Sequence, residues 1–208
     1  MAMKCYKCLF SQTNCFCNDI IPIDTNVKIV ILIHPMEAKN QRTGTGRLTH
    51  LSINDSELII GIDFTNNKRV NELINDKTFY PVLLYPSDKA LNIEDKTFYN
   101  SLENKKLLIF ILDGTWWHAR VMLRESSNLM QIPHISFEQK YTSKYFFKKQ
   151  PKENYLSTIE CVYYLLSSLK ENNLANKSAN YQNLMSIFDR LISQQRQFWG
   201  GNDKNSLL

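Results

Sequence analysis

Glycine and proline are scarce in this chain, six of each among 208 residues. That scarcity argues against wholesale disorder and against low-complexity segments. No apolar run approaches the ~20 residues that a membrane-spanning helix requires. The first residues carry no apolar core of a secretory signal, so a cytoplasmic protein is expected. There is no Gly-x4-Gly-Lys-Ser/Thr phosphate loop. Nor is there the GxGxxG cofactor loop expected of a Rossmann methyltransferase. Cysteine is nearly confined to the first seventeen residues, where four of the five fall.

What remains is an ordinary globular composition, 43% apolar, enough for one main core. The expected organisation is a cysteine-bearing segment over residues 1–24, an α/β domain over 25–200 and a flexible tail over 201–208. A net charge of +5 suits a polyanionic partner without demanding one.

The head reads Cys5-x2-Cys8 followed by Cys15-x1-Cys17. In a chain without a secretion signal, such crowding favours a metal over disulfides. Four thiolates suit tetrahedral zinc and leave no open position, so the metal would be structural. Free or redox-active thiols are the alternative, and iron in place of zinc stays open. Cys161 stands alone inside an apolar helix and reads as a small buried residue.

Strands alternating with helices indicate a mostly parallel sheet. Lys28 to His34 reads as a first buried strand, ended by Pro35. A Gly/Thr-rich loop over 41–47 precedes Leu48 to Ile53. Further strands are expected at Ser56–Gly61, Pro81–Tyr85, Leu107–Leu112 and Ile132–Phe137. Helices are expected at Asn67–Asn75, Trp116–Arg124, Ser157–Lys170 and Tyr181–Phe198. Ser157-x2-Glu160 forms a capping box at the start of the third of these.

Asp113-Gly114-Thr115-Trp116 lies between the fourth long strand and the helix that follows it. There an open α/β sheet presents its ligand crevice. A carboxylate, a flexible glycine and a hydroxyl at that place serve equally as a helix cap and a turn. The accompanying segments decide between these readings. They are His34-Pro35-Met36-Glu37, Arg42-Thr43-Gly44-Thr45-Gly46-Arg47, Leu84-Tyr85-Pro86-Ser87, and Gln150-Pro151 followed by Leu156-Ser157-Thr158-Ile159-Glu160. In this order, behind a cysteine-rich head, they resemble the DTW-domain family, the tRNA-uridine aminocarboxypropyltransferases. The likeness covers the chain except its last helix and tail. Two departures stand out: the family usually has Asn where this chain has Gly44, and often Arg where it has Lys148.

The resemblance implies transfer of the 3-amino-3-carboxypropyl group of S-adenosylmethionine to N3 of a tRNA uridine, releasing methylthioadenosine. It implies a SPOUT-like fold, whose C-terminal part forms a trefoil knot. Periodicity by itself argues against a knot. Asp113, Thr115 and Trp116 become the expected catalytic residues, with Asp113 either a base or an orienting group for the donor. Tyr85, Pro86, Ser87, Leu112, Gly114, Ser157 and Thr158 are expected around S-adenosylmethionine. Glu37, Arg42, Thr43, Thr45 and Arg47 are expected on the RNA-facing rim.

The segment from Lys140 to Lys152 interleaves Lys140, Lys144, Lys148, Lys149 and Lys152 with Tyr141, Tyr145, Phe146 and Phe147, a pattern that suits phosphates and unpaired bases of tRNA. Taken alone, His34 reads as a satisfied turn histidine. A SAM-dependent RNA methyltransferase and a non-enzymatic, zinc-containing RNA-binding module are the competing readings. Monomer and dimer are both open.

Overall fold

The computed structural model describes residues 3–39, 44–137, 141, 143 and 156–200. Its strands are β1 (Lys28–Ile33), β2 (Ser56–Ile60), β3 (Phe79–Leu84), β4 (Leu91–Asn92), β5 (Lys106–Asp113) and β6 (His134–Ser136). They form one six-stranded sheet in the order β2-β1-β5-β3-β6-β4, every pairing parallel. The helices are α1 (Pro35–Lys39), α2 (Thr45–Ser52), α3 (Lys68–Asn75), α4 (Lys96–Asn100), α5 (Trp116–Glu125), α6 (Ser127–Gln131), α7 (Thr158–Glu171) and α8 (Gln182–Gly200).

The central strands are apolar along their length because both faces of the sheet are covered. Alternate residues serve opposite layers. Ile29 and Ile31 of β1, with Ile109 and Ile111 of β5, pack toward α2, α7 and α8. Val30, Leu32, Leu108 and Phe110 pack toward α3, α5 and α6. This mixed α/β arrangement bears out the expectation of a parallel sheet. Among the described residues no helix is long and apolar enough to cross a membrane.

Two boundaries differ from the sequence reading. Residues 45–47 are not loop but the first turn of α2. The Gly44 carbonyl accepts the Leu48 N–H at 2.9 Å, and Leu48, Thr49 and Ser52 are buried against the core. β3 begins at Phe79 and so contains Pro81. The N–H groups of Leu83 and Tyr85 point toward the β6 side, bonding to Pro133 and Ile135. By the two-residue alternation Pro81 faces the same side, before β6 has begun, and its missing N–H leaves no gap in the ladder. The sequence reading also passed over β4, α1, α4 and α6, which are too short to show a period.

The cysteine head shares the main core. Cys5, Cys8, Phe16 and Ile23 belong to the same buried cluster as Ile187 and Leu191 of α8. Arg190 of α8 donates to the Cys15 carbonyl at 2.9 Å, pairs with Asp19 and lies 4.6 Å from the centre of the Phe16 ring.

Topology locates the crevice. After β1 the chain passes through α2, on one face, to β2. After β5 it passes through α5 and α6, on the other face, toward β6. Adjacent strands whose connections leave in opposite directions open a gap at their carboxyl ends. That gap lies between β1 and β5.

Candidate active site

His34 follows β1 and Asp113 ends β5. The His34 N–H donates to the Asp113 carbonyl at 2.9 Å, joining the two strand ends. Thr158, at the start of α7, donates its hydroxyl to Oδ1 of the Asp113 carboxylate. Gly46, in the first turn of α2, lies against the same group: a Cβ there would stand 2.6 Å from Asp113 Cγ. Three segments far apart in sequence thus meet on one carboxylate.

Glycine is needed at 46 and 114 for space, since no described glycine has a positive φ. At Gly114 a Cβ would stand 2.9 Å from the His118 Cβ and 3.5 Å from that of His34. The glycine therefore permits close packing of strand end against helix, where the sequence reading assigned flexibility. Thr115 caps α5, its hydroxyl oxygen accepting the His118 N–H at 3.2 Å.

Trp116 turns toward Tyr85, with ring centres 6.2 Å apart. Trp117, one residue on along the helix, points elsewhere and is 69% exposed. The Thr158 hydroxyl and Gly46 lie against the Asp113 carboxylate.

Tyr85 also meets His134 edge-on at 6.0 Å, and the Ser87 hydroxyl lies 3.1 Å from His134 Nδ1. Tyr85, Ser87 and Trp116 thereby form one wall beyond the ends of β3 and β6. Pro86 between them is exposed, and Leu112 is half-buried against the α5 layer.

The capping box at α7 is present. Fully buried Glu160 accepts from the Ser157 N–H at 2.8 Å, the Ser157 hydroxyl at 2.7 Å and the Ser143 hydroxyl at 2.8 Å. This fixes the turn from which Thr158 reaches Asp113. Thr45 is buried at the start of α2, and Arg47 is half-buried one residue beyond Gly46. Burial first, and then Arg47, hold the pKa of His50 below its ordinary value. Arg42, Thr43, Lys144, Lys148 and Lys149 lie outside the described residues.

Glu37, on α1, faces His118 on α5, with Oε1 and Nδ1 4.0 Å apart. The His34 and His118 rings stack, centres 3.8 Å apart and 5° from parallel. His34 Nδ1 accepts the Met36 N–H at 3.2 Å, the satisfied turn expected for it. The sequence reading assigned no role to His118, His134 or Gly46. For His118 a signal was available: it lies three residues after Thr115, in the first turn of a helix that starts at the crevice.

In the head, Cys5 Sγ is 3.6 Å from Cys17 Sγ, and Cys8 Sγ is 3.7 Å from Cys15 Sγ. All four sulfurs lie within 4.8 Å of one another. These separations are too long for disulfides. A zinc–sulfur bond of about 2.3 Å gives a tetrahedron with edges of about 3.8 Å, so the donor set fits a tetrahedral metal. Backbone hydrogen bonds from Cys8 and Lys7 bring the Cys5 thiol down to about 6. Cys161 is a different case: desolvation pushes its thiol up to about 12, consistent with an unreactive, largely buried residue.

Comparison with known proteins gives a consistent picture. The DTW domain matches residues 2–196. The chain is 27% identical over 177 residues to tRNA-uridine aminocarboxypropyltransferase 2 of Macaca fascicularis, covering 82% of this chain and 57% of the relative. The Mus musculus protein of the same name is 28% identical over 178 residues, with the same coverage. Similarity to tRNA-uridine aminocarboxypropyltransferase 1 of Xenopus laevis is 22% over 230 residues, covering 94% of this chain and 78% of the relative. The chain thus spans little more than half the length of the macaque and mouse proteins. No solved structure matches.

Proposed function

The chain belongs to the DTW domain family, and from that premise we propose that it modifies tRNA. It transfers the 3-amino-3-carboxypropyl group of S-adenosylmethionine to N3 of a uridine and releases methylthioadenosine. The observation that carries this reading is the meeting of Gly46, Asp113 and Thr158 at the β1/β5 crevice. The segments that resemble the family converge there, where an open sheet binds ligands.

The chemistry asks little of the leaving group. A sulfonium carbon is attacked, and the departing thioether is neutral, so no acid is required. Catalysis rests on deprotonating a weak nitrogen nucleophile and on aligning nitrogen, carbon and sulfur. With one oxygen accepting from Thr158 and Gly46 against the other, Asp113 is placed by its surroundings. Such a fixed carboxylate suits the ammonium of the donor's amino-acid arm. We assign it that orienting role. Thr115 and Trp116 complete the catalytic turn. Tyr85, Pro86 and Ser87, with Leu112 and Gly114, line the place for the adenosine end, and Ser157 holds the α7 turn. Glu37, Arg42, Thr43, Thr45 and Arg47 serve the RNA side, with Lys144, Lys148 and Lys149 for phosphates.

The four head cysteines hold a structural zinc. Residues 1–24 form that segment, 25–200 the catalytic domain and 201–208 a tail. The reading includes a SPOUT-like, knotted C-terminal part. After β6 the chain comes back to the carboxyl end of β5, where Thr158 meets Asp113. We place the activity in the cytoplasm, where unmodified tRNA is met.

The test is direct. The protein is incubated with S-adenosylmethionine and unmodified tRNA, and nucleosides are analysed by mass spectrometry. An aminocarboxypropyl uridine together with methylthioadenosine is expected. A methyl adduct with S-adenosylhomocysteine establishes a methyltransferase instead, and RNA binding with no adduct leaves an RNA-holding module.

A further inference from the structure

The crevice contains a second ionisable group that the reading above leaves idle. His118 lies face to face with His34, and among the described residues its buried Nδ1 has no hydrogen-bond partner. Glu37 Oε1 lies 4.0 Å from that nitrogen. The side chains of His118 and Glu37 are 18% and 12% exposed. His34 stacks on one face, the Trp117 ring lies 5.5 Å away edge-on, and Nδ1 faces Glu37, which leaves Nε2 as the ring's nitrogen for a ligand.

His34 cannot fill the same role. It is 6% exposed, and its Nδ1 already accepts the Met36 N–H. Burial first, and then the neighbouring His118, hold its pKa below the ordinary value, against the opposing effect of Glu37. Two stacked imidazoles do not both carry charge at tolerable cost. Of the two rings, it is His118 that has the Glu37 carboxylate across from its Nδ1, at 4.0 Å. Asp113 is already engaged: its carboxylate accepts the Thr158 hydroxyl and lies against Gly46.

We propose that His118, oriented by Glu37, is the catalytic base that takes the N3 proton of the uridine. This rests on the transferase reading above. In the step, the N3–H bond breaks and its proton goes to His118 Nε2. The N3 electron pair forms the bond to the donor carbon. The carbon–sulfur bond breaks, and its electron pair stays on sulfur as a neutral thioether. The positive charge lost from the sulfonium reappears on the imidazolium, where Glu37 balances it, and the proton then passes to solvent. The 4.0 Å separation closes to a hydrogen bond as the ring charges. Catalytic contacts are commonly longer before substrate arrives.

Single-turnover rates of the full chain on unmodified tRNA, measured across pH, test the assignment. Among the described residues, Glu37 and His34 face His118, and variants of Glu37 and of Asp113, the other acid at the crevice, enter the comparison. His118→Gln is expected to slow transfer by about 100- to 10,000-fold and to remove the inflection that wild type shows on the acid side. Its affinity for S-adenosylmethionine stays at the wild-type level. Glu37→Gln keeps the imidazole and moves the inflection to lower pH, a change that a merely structural role does not produce. A His118→Gln protein with wild-type rate and inflection overturns the proposal. So does an inflection that vanishes in Asp113→Asn and persists in His118→Gln. If wild type itself makes no aminocarboxypropyl uridine, the transferase reading falls first, which separates the two failures.

Discussion

Gly46 and Asp113 touch at the carboxyl edge of the sheet so closely that no other residue fits at 46 without displacing the carboxylate. The same carboxylate receives the Thr158 hydroxyl, which lies 45 residues further along the chain. These two contacts set the position of Asp113 and make the site testable by small substitutions.

Gly46→Ala separates stability from binding. Overpacking costs about 1–3 kcal/mol, whereas Ala in place of Gly inside α2 gains about 1 kcal/mol of helix propensity. The net cost is therefore about 0–2 kcal/mol, within the range the Asp113 side chain can relieve by moving. Asp113 is thereby forced away from its position. Calorimetry is expected to show weaker S-adenosylmethionine binding with a nearly unchanged melting temperature; wild-type affinity would contradict the assigned contact.

Thr158→Val removes the hydroxyl and keeps the shape. A hydrogen bond to a charged group contributes about 1.5–3 kcal/mol. Donor binding is expected to weaken by roughly 10- to 160-fold. Thr158→Ser, which retains the hydroxyl, is expected to recover most of the loss.

The head is expected to carry one metal per chain, read by metal analysis of protein purified without added metal. Cys8→Ser is expected to lose that metal. Because Cys8 and Phe16 belong to the main core, the melting temperature should fall by about 5 °C or more. Protein free of metal with wild-type stability would remove the site.

Acid sensitivity follows from the opposite edge of the sheet. Lys28 bonds Asp55 and Glu57, each at 2.9 Å, and Lys106 reaches Asp55 at 2.7 Å. The hydrogen bond from Arg69, then Lys28, against the cost of burial, takes Glu57 from 4.5 down to about 2. A lowered carboxyl pKa contributes stability that is fully present above 4.5 and lost as pH falls toward 2. Glu57→Gln is expected to be less stable than wild type at pH 7, with the gap closing across that window in urea titrations. A gap that stays constant from pH 7 to pH 2 would exclude this origin.

Replacing Lys144, Lys148 and Lys149 together is expected to weaken tRNA binding and to flatten its dependence on salt, since each lost phosphate contact lowers the slope. Filter binding at several salt concentrations measures this. An unchanged slope would place the RNA elsewhere.

Sequence alone determined the elements with strong patterns. The apolar runs of β1 and β5 follow from burial on both faces, the 157–160 cap from its side-chain chemistry, and the four head cysteines from their spacing. It also brought Asp113 to the end of a strand, because a charged residue closing an apolar run has few other places to go. Short pieces such as β4 and α1 escaped notice because two to five residues show no period.

The tertiary structure alone decided which distant residues share the crevice. Nothing local in Gly46 says that its missing side chain makes room for a carboxylate 67 positions away. Nothing local in His118 says that its ring will lie on His34. Those partners are chosen by strand order, which sets β1 beside β5 and sends their connections in opposite directions. Strand order depends on how whole layers pack, and no single segment carries that information.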